Sequence, residues 1–233
     1  MKRFASASAI SKLLVFIMLI VGVSGCMFNK KDSFQQQAQD YLSEKYGEQF
    51  TYLDTYGSYS GTDVHEIYFS SQKYSNAEIT VQCVKNGSEY EFTDNYLSIR
   101  FAQRTDELLR SIIDDLFGSN YFYLRKISRY GSSEKVTDFS DFSQYIADPS
   151  SDIVLTAIVS CEVNDTEAME RRIMDALQRS GIRCKGTIYF DPLRTDFSDL
   201  SEANYEKEYL MKATYQKMLV ITLDNGNYRF RWR

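Results

Sequence analysis

Apolar residues recur with two different periods along the chain, and the changes of period outline helices and strands. Residues 33–46 place apolar side chains at helical spacing, with Asp32 or Ser33 positioned to cap the first turn and Gly47 to end it. The strand-like segments that follow cover about residues 49–56, 64–70, 76–85 and 88–93. Asn86-Gly87 predicts a hairpin between the last two. The first region is therefore predicted to be one helix followed by four strands.

The middle of the chain predicts a longer helix and a strand. Asp94 is placed to cap a helix over about residues 95–117, although residues 95–101 also fit an extension of the preceding strand. A strand follows over 121–130. The polar stretch 131–151 is the predicted boundary between an N-terminal unit, 33–130, and a C-terminal unit, 152–233.

The C-terminal unit carries the clearest pattern. Residues 153–163 are apolar on both parities, which is typical of a central strand covered on both faces. A helix with Asn164 as its cap and Glu167 in a capping box precedes a strand over 182–190, and together these predict a right-handed βαβ unit. Asn225-Gly226 joins a final hairpin, about 211–223 with 227–232. The fold class is predicted to be α+β, with mixed or antiparallel sheets and about three helices.

The N-terminus has the three parts of an export signal: basic residues, an uncharged apolar run over 13–23, and small residues at its end. Eleven apolar residues are too few to cross a bilayer, which takes about 20. The run ends in Val23-Ser24-Gly25-Cys26, which resembles the lipobox of bacterial lipoproteins. An ordinary secreted protein without lipid is the alternative.

The lipobox resemblance implies a location and an anchor. Residues 1–25 are then a signal peptide removed between Gly25 and Cys26, and Cys26 carries a thioether-linked diacylglyceryl group with palmitate-type chains. Two acyl chains hold a protein stably in a membrane. Residues 26–32 are the lipidated cysteine and a short tether. The predicted location is the extracytoplasmic face of the cell membrane of a Gram-positive bacterium.

A second resemblance rests on short motifs: Tyr41-Leu42, Lys45-Tyr46-Gly47, Phe50 and Asp94-Asn95-Tyr96-Leu97. They are similar to small α+β modules of uncharacterised Gram-positive lipoproteins, over about residues 34–117. This resemblance implies a type of fold and no activity.

Charge and composition narrow the range of partners. Removal of residues 1–25 takes away three basic and no acidic residues, which changes the formal charge from -5 to -8. An acidic protein is a poor match for nucleic acid. The chain has 18 Tyr and 15 Phe, which either pack against the sheets or form a surface for a sugar or peptide.

The cysteines and the single histidine give no catalytic or metal site. Cys83 shares strand parity with apolar neighbours, and Cys161 and Cys184 fall at opposite ends of two predicted parallel strands, about 20 Å apart. This exceeds disulfide reach, so the sequence predicts three buried free thiols. His65 is predicted to be a partly buried strand residue. No cofactor is predicted, because the 11 glycines are scattered at turns.

Carboxylates are the alternative chemistry. Asp191, Asp196 and Asp199 lie in one loop, and Asp138 and Asp141 lie in a matching loop, since residues 137–143 (TDFSDFS) recur at 195–201 (TDFSDLS). The echo has two explanations, an internal duplication or chance use of the same helix-capping residues. Paired carboxylates can hydrolyse glycosides, and oxygen ligands can bind calcium, but capping accounts for several of these residues.

The last strand alternates basic and aromatic residues. Arg229, Arg231 and Arg233 are predicted to form a charged outer row while the intervening aromatic residues pack inward. Such a row either protects an edge strand from pairing or docks an acidic partner. The sequence thus favours a lipid-anchored, non-catalytic protein that binds an envelope protein, peptide or glycan. An envelope hydrolase using the Asp191–Asp199 loop is the alternative.

Overall fold

The computed structural model describes residues 33–57, 63–126, 139–212 and 215–233. The predicted signal peptide, the cleavage site between Gly25 and Cys26 and the tether lie outside the described residues. So do residues 127–138, which include Asp138 and part of the predicted boundary segment.

Six α-helices and nine strands make up the described part of the chain. The helices are α1 (Phe34–Tyr46), α2 (Tyr96–Arg100), α3 (Ala102–Phe117), α4 (Phe142–Ala147), α5 (Thr166–Ser180) and α6 (Tyr205–Glu208). The strands are β1 (Phe50–Tyr56), β2 (Val64–Ser71), β3 (Ile79–Asn86), β4 (Glu89–Asp94), β5 (Tyr121–Lys126), β6 (Ile153–Val159), β7 (Cys184–Phe190), β8 (Lys217–Asp224) and β9 (Asn227–Trp232). Single turns of 3₁₀-helix cover Pro149–Ser151 and Leu210–Lys212.

The first sheet is antiparallel, with the strand order β1-β2-β3-β4. Helix α1 covers one of its faces and buries Ala38 and Leu42. The helix begins where the Ser33 hydroxyl accepts a hydrogen bond from the Gln36 amide, and it ends at Gly47 in the left-handed region, φ 66°. The caps predicted at Ser33 and Gly47 are therefore confirmed.

The second sheet is mixed, with the strand order β5-β6-β7-β8-β9. Strands β6 and β7 are parallel, with Ile153 opposite Cys184, and α5 connects them as the predicted βαβ unit requires. The other pairs are antiparallel. Strand β6 is covered on both faces: Leu155 and Ala157 belong to the main core, and Ile158 packs with Phe197 and Tyr209 on the opposite side.

The α+β class is confirmed, but the helix count of about three is too low. The predicted helix 95–117 divides at Phe101, whose backbone (φ -100°, ψ 9°) ends α2 and begins α3. The predicted boundary segment 131–151 contains α4, which buries Tyr145 and Ile146. The short α6 was not predicted, because four residues leave no periodic pattern.

Two further details differ from the prediction. The sequence pattern places β5 in the N-terminal unit 33–130, yet β5 pairs with β6 in the second sheet. The change from one sheet to the other therefore falls between β4 and β5. The cap of α5 is Asp165, which accepts from the Ala168 amide, and Asn164 lies one residue outside it. In the described ranges, no helix has both the length and the apolarity needed to cross a membrane.

Candidate functional site

Strand β9 is an edge of the second sheet, and its two faces differ in chemistry. Arg229, Arg231 and Arg233 are exposed on the face away from α5. The aromatic residues between them turn toward the core: the Trp232 indole N–H donates to Glu170 Oε1 at 2.6 Å, and the Tyr228 hydroxyl donates to the Ile182 carbonyl at 2.5 Å. The predicted outer row of arginines and inner row of aromatic residues are both present.

The backbone of β9 exposes the hydrogen-bonding groups of its aromatic residues. Arg233 and Met218 exchange both hydrogen bonds, 2.9 and 3.0 Å, so the backbone groups of Arg233 point toward β8. Bonded and non-bonded pairs alternate along an antiparallel ladder. The backbone groups of Arg229 and Arg231 therefore also bond to β8, while those of Phe230 point outward from the sheet.

Charge on this strand is only partly neutralised. Arg229 forms an ion pair with Asp224, the residue at the end of β8. Within the described parts of the chain, no carboxylate forms an ion pair with Arg231 or Arg233. We call Arg229, Arg231 and Arg233, together with the outward backbone groups of β9, the arginine edge. It presents positive charge on a protein whose formal net charge is -5.

The three carboxylates of the 191–199 loop have separate structural partners. Asp191 is 5% exposed, and its carboxylate accepts a hydrogen bond from the Tyr209 hydroxyl at 3.2 Å. Asp196 accepts from the Ser198 amide at 2.8 Å, and this hydrogen bond holds the pKa of Asp196 below its usual value. Asp199 forms an ion pair with Arg194. Each carboxylate thus stabilises the loop at a different point.

That loop covers one face of the second sheet. Phe197 and Leu200 pack with Phe122 and Ile158 in a small core beneath α6. The Arg194 guanidinium lies 5.5 Å from the ring centroids of both Phe197 and Tyr209. A cleft beside the loop is lined by Glu162, Asp191, Pro192, Leu193 and Gln216. Only Asp191 among the three predicted loop residues reaches it.

The two copies of the repeated motif have different roles. In the first copy Asp141 caps α4, accepting from the amide of Ser143 at 2.8 Å and from that of Gln144. Hydrogen bonds from the Ser143 hydroxyl and amide lower the pKa of Asp141. In the second copy Asp199 caps no helix, since α6 begins only at Tyr205.

His65 and the three cysteines belong neither to the arginine edge nor to the residues that line the cleft beside the loop. His65 is half-buried and stacks on Phe34, with ring centroids 4.6 Å apart, as a strand residue under α1. The three cysteines are free, and Cys83 and Cys184 are buried, but Cys161 is only half-buried. The prediction of three buried thiols is therefore wrong for Cys161, because β6 ends at Val159 and the alternation of the strand does not reach it.

A buried polar cluster surrounds Asp94, and the sequence pattern does not predict that its residues lie together. Its carboxylate is 1% exposed and accepts from the Tyr41 hydroxyl, the Tyr46 hydroxyl and the Lys45 ammonium, each at 2.8 Å. Burial, and then the Asp94 charge, raises the pKa of Tyr46. The Tyr46 and Tyr96 rings are 4.4 Å apart. Residues of the short motifs Lys45-Tyr46-Gly47 and Asp94-Asn95-Tyr96-Leu97 are therefore in contact. The sequence alone does not predict this contact, because the two motifs are far apart in the chain.

Apart from the arginine edge and the loop cleft, the described surface carries exposed aromatic residues on β1. The exposed aromatic residues Tyr52 and Tyr56 lie on β1, at the edge of the first sheet. Among the described residues, no group of three His, Cys, Asp or Glu side chains is placed to hold a metal ion.

No protein-family model and no curated protein matches the chain. A crystal structure of a DUF5037 family protein from Ruminococcus gnavus is similar at 13% identity and a TM-score of 0.38, over 84% of this chain and 94% of that one.

Proposed function

We propose that this chain is a lipid-anchored, non-catalytic binding protein of the cell envelope, and that the arginine edge docks an acidic partner there. The observation that carries the binding role is the row Arg229, Arg231 and Arg233, exposed on an edge strand of an acidic protein. The lipobox residues Val23-Ser24-Gly25-Cys26 support the location at the membrane.

Charge and backbone act together at such an edge. Exposed ion pairs contribute only about 0–1 kcal/mol each, so the arginines alone give selectivity more than affinity. An extended segment that adds to β9 also gains main-chain hydrogen bonds with the outward groups of Tyr228, Phe230 and Trp232. An acidic peptide strand of an envelope protein combines both features.

The individual contacts of the loop carboxylates support the non-catalytic role. Asp191 is buried against Tyr209, Asp196 caps a turn, and Asp199 pairs with Arg194. Glycoside hydrolysis by two carboxyl groups of this loop needs both of them on one cleft, and of Asp191, Asp196 and Asp199 only Asp191 lines the cleft beside the loop. The hydrolase alternative therefore has less support than binding.

Photo-cross-linking in intact cells tests the proposal. A photoreactive amino acid replaces Thr222, which is exposed and pairs with Arg229 in the sheet register. We expect an adduct with an envelope component that the double variant R229E/R231E loses at least tenfold. The control R171E/R179E makes the same change of net charge at exposed positions of α5 and retains the adduct. An adduct that is absent, or equally strong in R229E/R231E, contradicts the proposal.

A further inference from the structure

Strand β4 is one of the two edge strands of the first sheet in the described residues, and it repeats the pattern of β9 with the opposite charge. Strand β4 reads Glu-Tyr-Glu-Phe where β9 reads Tyr-Arg-Phe-Arg. Glu89 and Glu91 are exposed, while Tyr90 and Phe92 are half-buried. Both aromatic residues turn toward α1, since the Tyr90 ring lies 6.3 Å from the ring of Phe34 and Phe92 stacks on Tyr41 at 5.4 Å.

The backbone of β4 has the same orientation relative to its side chains as that of β9. The Asn95 amide donates to the Thr80 carbonyl at 3.2 Å, and the Thr80 amide donates to the Asn95 side-chain Oδ1 at 2.9 Å, so the Asn95 amide points toward β3 as in a bonded pair. Alternation from this pair places the backbone groups of Glu89 and Glu91 toward β3. Those of Tyr90 and Phe92 therefore point outward, like those of the aromatic residues in β9.

We propose that β9 of one molecule pairs antiparallel with β4 of a second copy of this chain, with Phe230 opposite Tyr90. In this register Arg229 faces Glu91 and Arg231 faces Glu89, and Tyr228 faces Phe92 on the other side of the sheet. The inference rests on the proposed function, because it identifies the acidic partner of the arginine edge as the β4 edge of another copy.

The geometry of antiparallel pairing supports this register. In an antiparallel pair, two residues directly opposite each other point to the same face of the sheet, and their backbone groups either both bond across the pair or both point away from it. In β4 and β9 alike, the aromatic residues face the helix, α1 or α5, and their backbone groups point outward from the sheet. In a strand of L-residues, the face of a side chain fixes the side to which its backbone groups point. The β4 and β9 edges therefore relate their helix-covered face, their strand direction and their outward backbone groups in the same way. Two such edges fit together only in the antiparallel sense when α1 and α5 lie on one side of a continuous sheet. The charged residues occupy non-bonded pairs, with Cα atoms about 4.5 Å apart.

Charge selects this pairing over the symmetric ones. Two β9 edges would set arginines opposite arginines, and two β4 edges would set glutamates opposite glutamates, and like charges directly opposite are destabilising. Pairing of β9 with β4 is heterologous, because it joins two different surfaces of the same chain. Each molecule offers one β9 edge and one β4 edge, so the copies assemble into a closed ring or an open chain of molecules. A shared membrane raises the local concentration of the copies.

Disulfide trapping in membranes tests the register while leaving the charged residues intact. Asn227 and Thr93 face each other in the proposed pairing, and non-bonded pairs lie within the Cα distances that a disulfide spans. Two tagged full-length copies with Cys161→Ser are co-expressed, one with Asn227→Cys and one with Thr93→Cys. Mild oxidation should link them at least tenfold more than a control pair with Asn227→Cys and Ser88→Cys. Equal linking of both pairs, or none in either, overturns the inference.

Charge reversal supplies the second measurement and controls for misfolding. The variant R229E/R231E in the Asn227→Cys copy should abolish the link, and E89R/E91R in the Thr93→Cys copy should restore it. Reversal without effect, or loss without restoration, also overturns the pairing. If the disulfide fails while the Thr222 adduct forms with another envelope component and still needs the arginines, the second copy is the wrong partner and the proposed function stands.

Discussion

The Lys45 ammonium lies 2.8 Å from the Asp94 carboxylate, which joins the end of α1 to the last residue of β4. Tyr41 and Tyr46 donate to the same carboxylate, and the Tyr96 amide donates to Asp94 Oδ1 at 2.9 Å. A buried charge with this many donors fixes where α1 sits on the first sheet. It therefore supports the strand that we propose as one half of the self-association surface.

Removal of this carboxylate should destabilise the fold. Asp94→Ala leaves the Lys45 charge without its partner, a loss that typically costs about 3–5 kcal/mol in a buried pair. Tyr46→Phe removes one hydrogen bond and should cost about 1 kcal/mol. The free energy of unfolding in denaturant measures both. Asp40→Ala, at an exposed position of α1, is the control and should change it by less than about 0.5 kcal/mol. An Asp94→Ala value as small as that of the control would show that the cluster does not hold the fold.

Gly186 is required by the close approach of β6 and β7. A Cβ atom at this position would lie 2.9 Å from the carbonyl carbon of Leu155 and even closer to its oxygen, so backbone would have to move. We expect Gly186→Ala to lower the free energy of unfolding by about 1–3 kcal/mol. Gly57→Ala is the matched control, since a Cβ atom added at Gly57 would meet nothing within 4 Å. Equal stability of the two variants contradicts the parallel pairing.

The three thiols should react in a fixed order. Burial raises the pKa of Cys83 to about 11 and that of Cys184 to about 12, so at pH 8 about a thousandth or less of either is thiolate. Cys161 is half-buried and should react first with a maleimide, at a rate that rises with pH because its pKa is also raised by burial. Mass spectrometry of the labelled peptides measures the order. Labelling of Cys184 before Cys161 in native protein would contradict the structure.

The loop carboxylates should be dispensable for binding. Asp196→Asn retains an oxygen that can accept from the Ser198 amide, and Asp199→Asn loses only the exposed ion pair with Arg194. We expect both variants to give the same Thr222 adduct as the native protein. Loss of the adduct in either one, with the fold intact by circular dichroism, would show that the loop takes part in binding.

The pattern of neighbouring residues predicts most of the helices and strands. It does not predict which strands pair when they are far apart in the sequence. The caps at Ser33 and Gly47 and the alternation of β9 are properties of neighbouring residues, so the sequence contains them directly. The pairing of β5 with β6 joins segments separated by α4, and nothing in the sequence of β5 identifies its partner. The exposure of Cys161 depended on where β6 ends, and strand ends are weakly marked when apolar residues continue into a loop.

The same distinction between local pattern and long-range contact applies to the candidate sites. The arginine row was predictable because alternation on one strand decides which side chains face outward. The separate partners of Asp191, Asp196 and Asp199 were not, since they depend on Tyr209 and on the fold of the loop. The complementarity of β4 and β9 needed the sheet order, which shows that both are edges.

The proposed function depends first on the anchor, and one measurement tests it most directly. The protein is purified from the membrane fraction of its own host, and the mass of its N-terminal peptide is determined. We expect a peptide that begins at Cys26 and carries the mass of a diacylglyceryl group, and the variant Cys26→Ser should lose both the cleavage and the membrane attachment. An N-terminus at another residue, or an unmodified Cys26 on a released protein, would contradict the proposed anchor.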